Sequence, residues 1–162
     1  MSTTKDTVFQ EGLIAGVLGY ASVAIVFAVL NVSQGLSPTF TPDVMGRALL
    51  GGGGLEPVSP WAAVLAFNAL HLSLSLGIGF VAAFLAQRAE LDHDLAMGLV
   101  FFVMALGGFV PIFSGTVMVE FLHALRWSEA VIGSLAGAVS ALGYLAWVHR
   151  DLVAALFNEA DA

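Results

Sequence analysis

Apolar positions in this chain come in four long runs, at about residues 8–31, 60–87, 95–125 and 129–149, separated by more polar intervals. At 1.5 Å per residue, a run of about 20 residues crosses a hydrocarbon layer of about 30 Å. The pattern predicts an all-α integral membrane protein, with four transmembrane helices in an antiparallel bundle forming one domain over residues 1–162. The first run exceeds the usual apolar core of a secretion signal, and no small-residue cleavage site follows it, so it reads as a retained helix.

The longest interval, residues 32–59, holds a further element. Thr41-Pro42-Asp43 has the form of an N-cap, a proline in the first turn and an acid against the helix dipole. A short interfacial helix is expected over 42–50, with Val44, Met45, Ala48 and Leu49 on its apolar side, ended by Gly51 to Gly54. Those glycines are a linker rather than a phosphate loop, because no G-K-[ST] follows. Ser59-Pro60-Trp61 opens the second span with a cap, an N1 proline and an interfacial aromatic.

Composition agrees with the pattern. Of 162 residues, 59% are hydrophobic and 10% charged, against about 25% charged in soluble domains. There is no cysteine, which excludes disulfides, thiolate metal sites and dithiol redox chemistry. Five basic and twelve acidic residues exclude a nucleic-acid footprint and a polybasic lipid anchor. An acidic, lysine-poor surface is a compositional hint of a salt-adapted source. Lys5, Arg88 and Arg150 fall on one side of the bundle and Arg47 and Arg126 on the other. The positive-inside rule then favours both termini on the cytoplasmic side of a prokaryotic plasma membrane.

Small residues give the spans their packing faces. Gly12 and Gly16 form a G-x-x-x-G pair, as do Gly133 and Gly137, with Ser140 and Tyr144 continuing the second face. Such pairs admit close backbone approach, within the bundle or to a partner. The partners expected are membrane lipids and other transmembrane subunits or a second copy.

Candidate chemistry concentrates in the third run. Thr116, Glu120 and His123 recur at i, i+4 and i+7, on one helical face beyond Pro111. Asn68, His71, Ser75 and Gly79 make a polar and small-residue stripe on the second span. Ionisable side chains inside a membrane are functional candidates, because lipid solvates them poorly. Asn68, His71, Glu120 and His123 are therefore the candidate metal or proton site. In straight antiparallel helices His71 and His123 stand about 13 Å apart along the axis, which opposes a bis-histidine haem. A single Glu-x-x-His lacks the second copy that di-iron bundles carry. Glu11 reads as an interfacial residue, and residues 88–94 as a solvated turn despite His93 and its three acids.

No catalytic residue is assigned. The leading expectation is a non-catalytic accessory subunit of a larger membrane complex, possibly energy-converting or respiratory, more a structural component than an enzyme. The alternative is a metal-binding, haem-binding or proton-handling protein built on the polar cluster; a small transporter is third. No cofactor is expected under the first reading, and a metal or haem under the second.

Overall fold

The computed structural model describes residues 4–51, 58–90, 98, 102, 127–151 and 154. Among them there are four helices and no strand: α1 Thr4–Ser33, α2 Phe40–Leu50, α3 Pro60–Ala89 and α4 Trp127–Val148. Three are long and apolar enough to cross a membrane, over Asp6–Ser33, Pro60–Ala89 and Ser128–Val148, which supports a membrane protein. The third apolar run, with Pro111, Thr116, Glu120 and His123, lies outside the described residues apart from Gly98 and Phe102, both helical.

Side-chain size is distributed inside out relative to a soluble protein. Among the described residues the buried apolar ones are Ala15, Ala63, Ala82, Ala83, Ala86, Ala89 and Leu145, while leucine, isoleucine, valine and tryptophan are largely exposed. In lipid, apolar surface gains little by turning inward, so helices are held by close van der Waals contact between small residues. α1 packs on both α3 and α4, and α2 packs on α3. At the α1–α3 seam Gly12 makes room for Phe80, whose ring stacks on Phe9 at 5.4 Å, and Gly16 and Gly79 meet backbone to backbone. At the α1–α4 seam Gly133 faces Phe27, and Gly137 faces Val23 and Gly19. Ser22 Oγ also donates to Ser140 Oγ across that seam, at 2.7 Å.

Local chemistry explains the helix ends, and corrects two expectations. α1 closes in a Schellman turn: Gly35 N–H bonds Val32 C=O at 3.0 Å and Leu36 N–H bonds Asn31 C=O at 2.9 Å. This turn needs a left-handed residue, and Gly35 supplies it at φ 76°. α2 starts at Phe40, with Thr39 rather than Thr41 at the cap position. Thr41 is buried, and its hydroxyl donates to Asn31 Oδ1 at 3.0 Å instead. Toward the protein, α2 turns small residues. Its buried residues are Thr41 and Gly46, the latter seated directly on the Ala63 backbone, whereas Leu49 and Leu50 are exposed. α3 does begin at Pro60 with Ser59 at the cap position, although the Ser59 side chain makes no capping bond. Its helix runs through Ala89, so the start of the expected 88–94 turn is helical.

Candidate functional site

Antiparallel packing brings the start of α1 to the ends of α3 and α4, and three ionisable side chains meet there. His149 follows directly on α4, Glu90 directly on α3, and Glu11 lies within α1. His149 Nδ1 is 2.6 Å from Glu90 Oε1, and Nε2 is 3.1 Å from Glu11 Oε2. His149 and Glu11 are buried, at 6% and 7% exposure, whereas the Glu90 side chain is 47% exposed. Among the described residues, His149 is the only basic side chain paired with either glutamate.

This arrangement follows from helix periodicity. On α4 the buried positions recur every four residues, as Gly133, Gly137, Leu145 and His149, with half-buried Ala141 between. The histidine therefore ends the row that the glycines begin. On α1, Glu11 and Gly12 lie one turn before Ala15 and Gly16, all four buried. Immediately inward of the triad, Ala15, Ala82, Ala83 and Leu145 form an apolar cluster, with Val8, Phe102, Ala141 and Tyr144 against it.

Proton counting defines what the triad can do. If both carboxylates are ionised, each ring nitrogen must carry a proton to satisfy them; if the ring is neutral, one carboxyl must carry it. Both forms have a net charge of −1, and they differ only in where the proton sits. Loss of that proton would set a bare nitrogen against a bare carboxylate in a buried site, which is costly. The two ring nitrogens face different carboxylates, so one metal ion could not gather all three side chains. Among the described residues no group of three or more histidine, cysteine or acidic side chains has a metal-holding arrangement.

Of the residues singled out from sequence, Asn68 and His71 are described and lie elsewhere. Asn68 Oδ1 accepts from Tyr20 Oη at 2.7 Å, and its amide donates to Val64 C=O at 2.8 Å. The His71 ring makes edge contacts with Tyr20 and Phe67, with centroids 5.4 and 5.6 Å away. Asn68 and His71 thus belong to one polar group midway along α3. Glu120 and His123 lie outside the described residues. Glu11, read as interfacial from its place near the start of the first span, has an enclosed and paired carboxylate. The solvated reading of the 88–94 turn holds for Glu90 only in part, because one of its oxygens meets His149.

At the opposite end of the bundle, Gln34 Nε2 donates to Glu129 Oε1 at 2.8 Å, and Arg47 bridges Asp43 at 3.0 Å and Val58 C=O at 2.9 Å. These are exposed or half-buried contacts that fasten loops, and such pairs contribute little. No family model, curated protein or solved structure matches the chain, so its reading rests on its own residues.

Proposed function

We propose that the chain is a four-span integral membrane protein that handles protons through Glu11, His149 and Glu90. The observation that carries this reading is one buried imidazole with a carboxylate at each nitrogen. Exposed Glu90 is the entry group and enclosed Glu11 the inner one. A proton on Glu90 passes to His149 Nδ1 while the Nε2 proton passes to Glu11. The ring ends neutral with its tautomer exchanged, the net charge stays at −1, and no bond other than those to hydrogen changes. The run at residues 95–125 supplies the fourth span, placing both termini on one side, which the charge pattern assigns to the cytoplasm of a prokaryotic cell.

Purified protein reconstituted in liposomes with an entrapped pH dye tests the proposal. Vesicles given a pH step should equilibrate faster with the protein than without it. Glu11→Gln should slow that equilibration at least about tenfold, since an amide can hydrogen-bond but cannot take up the relayed proton. Rates equal to those of protein-free vesicles, or a folded Glu11→Gln variant as fast as the parent, would overturn it.

The accessory-subunit reading retains one observation. Among the described residues, Gly77 and Gly143 have nothing within 4 Å of an added Cβ and are exposed, which would suit the close approach of another helix. Gly77→Leu and Gly143→Leu would then release a co-purifying membrane subunit without unfolding the chain. The glycine pairs at Gly12, Gly16, Gly133 and Gly137 give that reading less support, because contacts inside this chain occupy them.

A further inference from the structure

Between α1, α3 and α4, inward of the triad, lies a hollow of about 220 Å³ that the proton relay does not use. Its α4 wall is made by Ser134, Gly137, Ala138 and Ala141 and its α1 wall includes Gly19, so small side chains create the space. Polar groups enter it only from His71, Ser75 and Ser134 among the described lining residues. The His71 ring is held by edge contacts with Tyr20 and Phe67, and the Tyr20 hydroxyl is committed to Asn68. Among the described residues no hydrogen bond to the His71 ring is present, so the hollow offers an imidazole, beside the Ser75 and Ser134 hydroxyls, in mostly apolar walls.

We infer that this hollow is a binding site for a compact lipophilic molecule bearing a carbonyl, which accepts a hydrogen bond from His71. Size sets the class. An apolar cavity of about 150 Å³ accommodates benzene, and drug-sized pockets begin near 300 Å³, so about one to two rings fit here. Chemistry sets the orientation: the carbonyl lies toward α3 and the rings against the alanines and glycines of α4 and α1. Such a molecule reaches the site from the bilayer, where it dissolves. The inference is independent of the relay, which lies on the far side of the Ala15, Ala82 and Leu145 cluster.

Binding of 1,4-naphthoquinone and of naphthalene to the purified protein, by equilibrium dialysis in detergent, tests it. Both should bind the parent chain. His71→Leu should weaken naphthoquinone about two- to tenfold, the loss of one neutral hydrogen bond, and leave naphthalene unchanged. Ala138→Leu, which fills the hollow, should abolish both, while Val139→Leu on the exposed face should alter neither. If Ala138→Leu fails to fold, Ser134→Leu on the same wall makes the same test. Failure of the parent to bind either probe would mean that the chain itself fills the space and would overturn the inference. Full binding by a folded filled variant, or equal weakening of both probes by His71→Leu, would also overturn it.

Discussion

Replacing Gly79 by alanine should loosen the bundle far more than the same change at Gly77, two residues away on the same helix. A Cβ on Gly79 would stand 2.5 Å from Gly16 N and 2.8 Å from Gly16 Cα, with Gly12 O closer still, where ordinary contact begins at 3.4 Å. These are backbone atoms and cannot rotate aside, so α1 and α3 must part by about 0.9 Å or slightly more, the larger shortfall at Gly16. A gap of that size forfeits about a quarter to a half of the dispersion energy of each contact along the seam. Overpacking of this kind costs about 1–3 kcal/mol. Among the described residues Gly77 meets nothing within 4 Å, and alanine there gains up to about 0.5–1 kcal/mol from helix propensity. The two variants should therefore differ in sign as well as size. Reversible unfolding in mixed detergent micelles measures both, with a shift of about 2 kcal/mol changing the folded-to-unfolded ratio about thirtyfold. A Gly79→Ala variant as stable as Gly77→Ala would show that backbone proximity at this seam does not hold α1 to α3.

Three smaller perturbations probe other contacts. A double-mutant cycle of Ser22→Ala and Ser140→Ala should give a coupling of about 0.6 kcal/mol, typical of hydrogen bonds between membrane helices; zero coupling would remove that bond from the account. Thr41→Val leaves buried Asn31 Oδ1 without its donor, at about 1–3 kcal/mol, so hydrogen exchange should accelerate in α2 while α4 is unchanged; equal protection in the variant would refute the latch. Single cysteines introduced at Thr4, Gly53 and Asp161 should label from one side for the first and last and from the other for Gly53; any other pattern would refute four spans.

The apolar runs made α1, α3 and α4 legible because lipid imposes one rule on every residue of a span. The short helix was legible from Thr41-Pro42-Asp43, but its first turn was not. The sequence offers the Thr41 hydroxyl as a cap, and only the fold reveals that Asn31, ten residues earlier, claims it. The triad escaped for a related reason. By neighbours in sequence Glu11 reads as an interfacial acid, Glu90 as a turn acid and His149 as a helix end, although antiparallel packing returns all three to one end. Following the glycine row of α4 in steps of four from Gly133 would have reached His149. Following the side of Ser140 and Tyr144 led away from it. Asn68 and His71 stand out for polarity within a span, and the structure groups them with Tyr20, a residue whose apolar ring conceals its hydroxyl.

The placement of small residues inside and large ones outside has a consequence for how this chain can diverge. Each inward glycine is a ceiling on size: Gly12, Gly16, Gly46 and Gly79 tolerate no added carbon without displacing a helix. The outer leucines, isoleucines and valines face no such ceiling and can exchange freely, provided that they remain apolar. Two distant descendants of this protein could therefore share almost none of their bulky residues and still fold alike. Their kinship would be written in the spacing of their smallest side chains, a signal that ordinary comparisons, weighted toward large and distinctive residues, tend to discount.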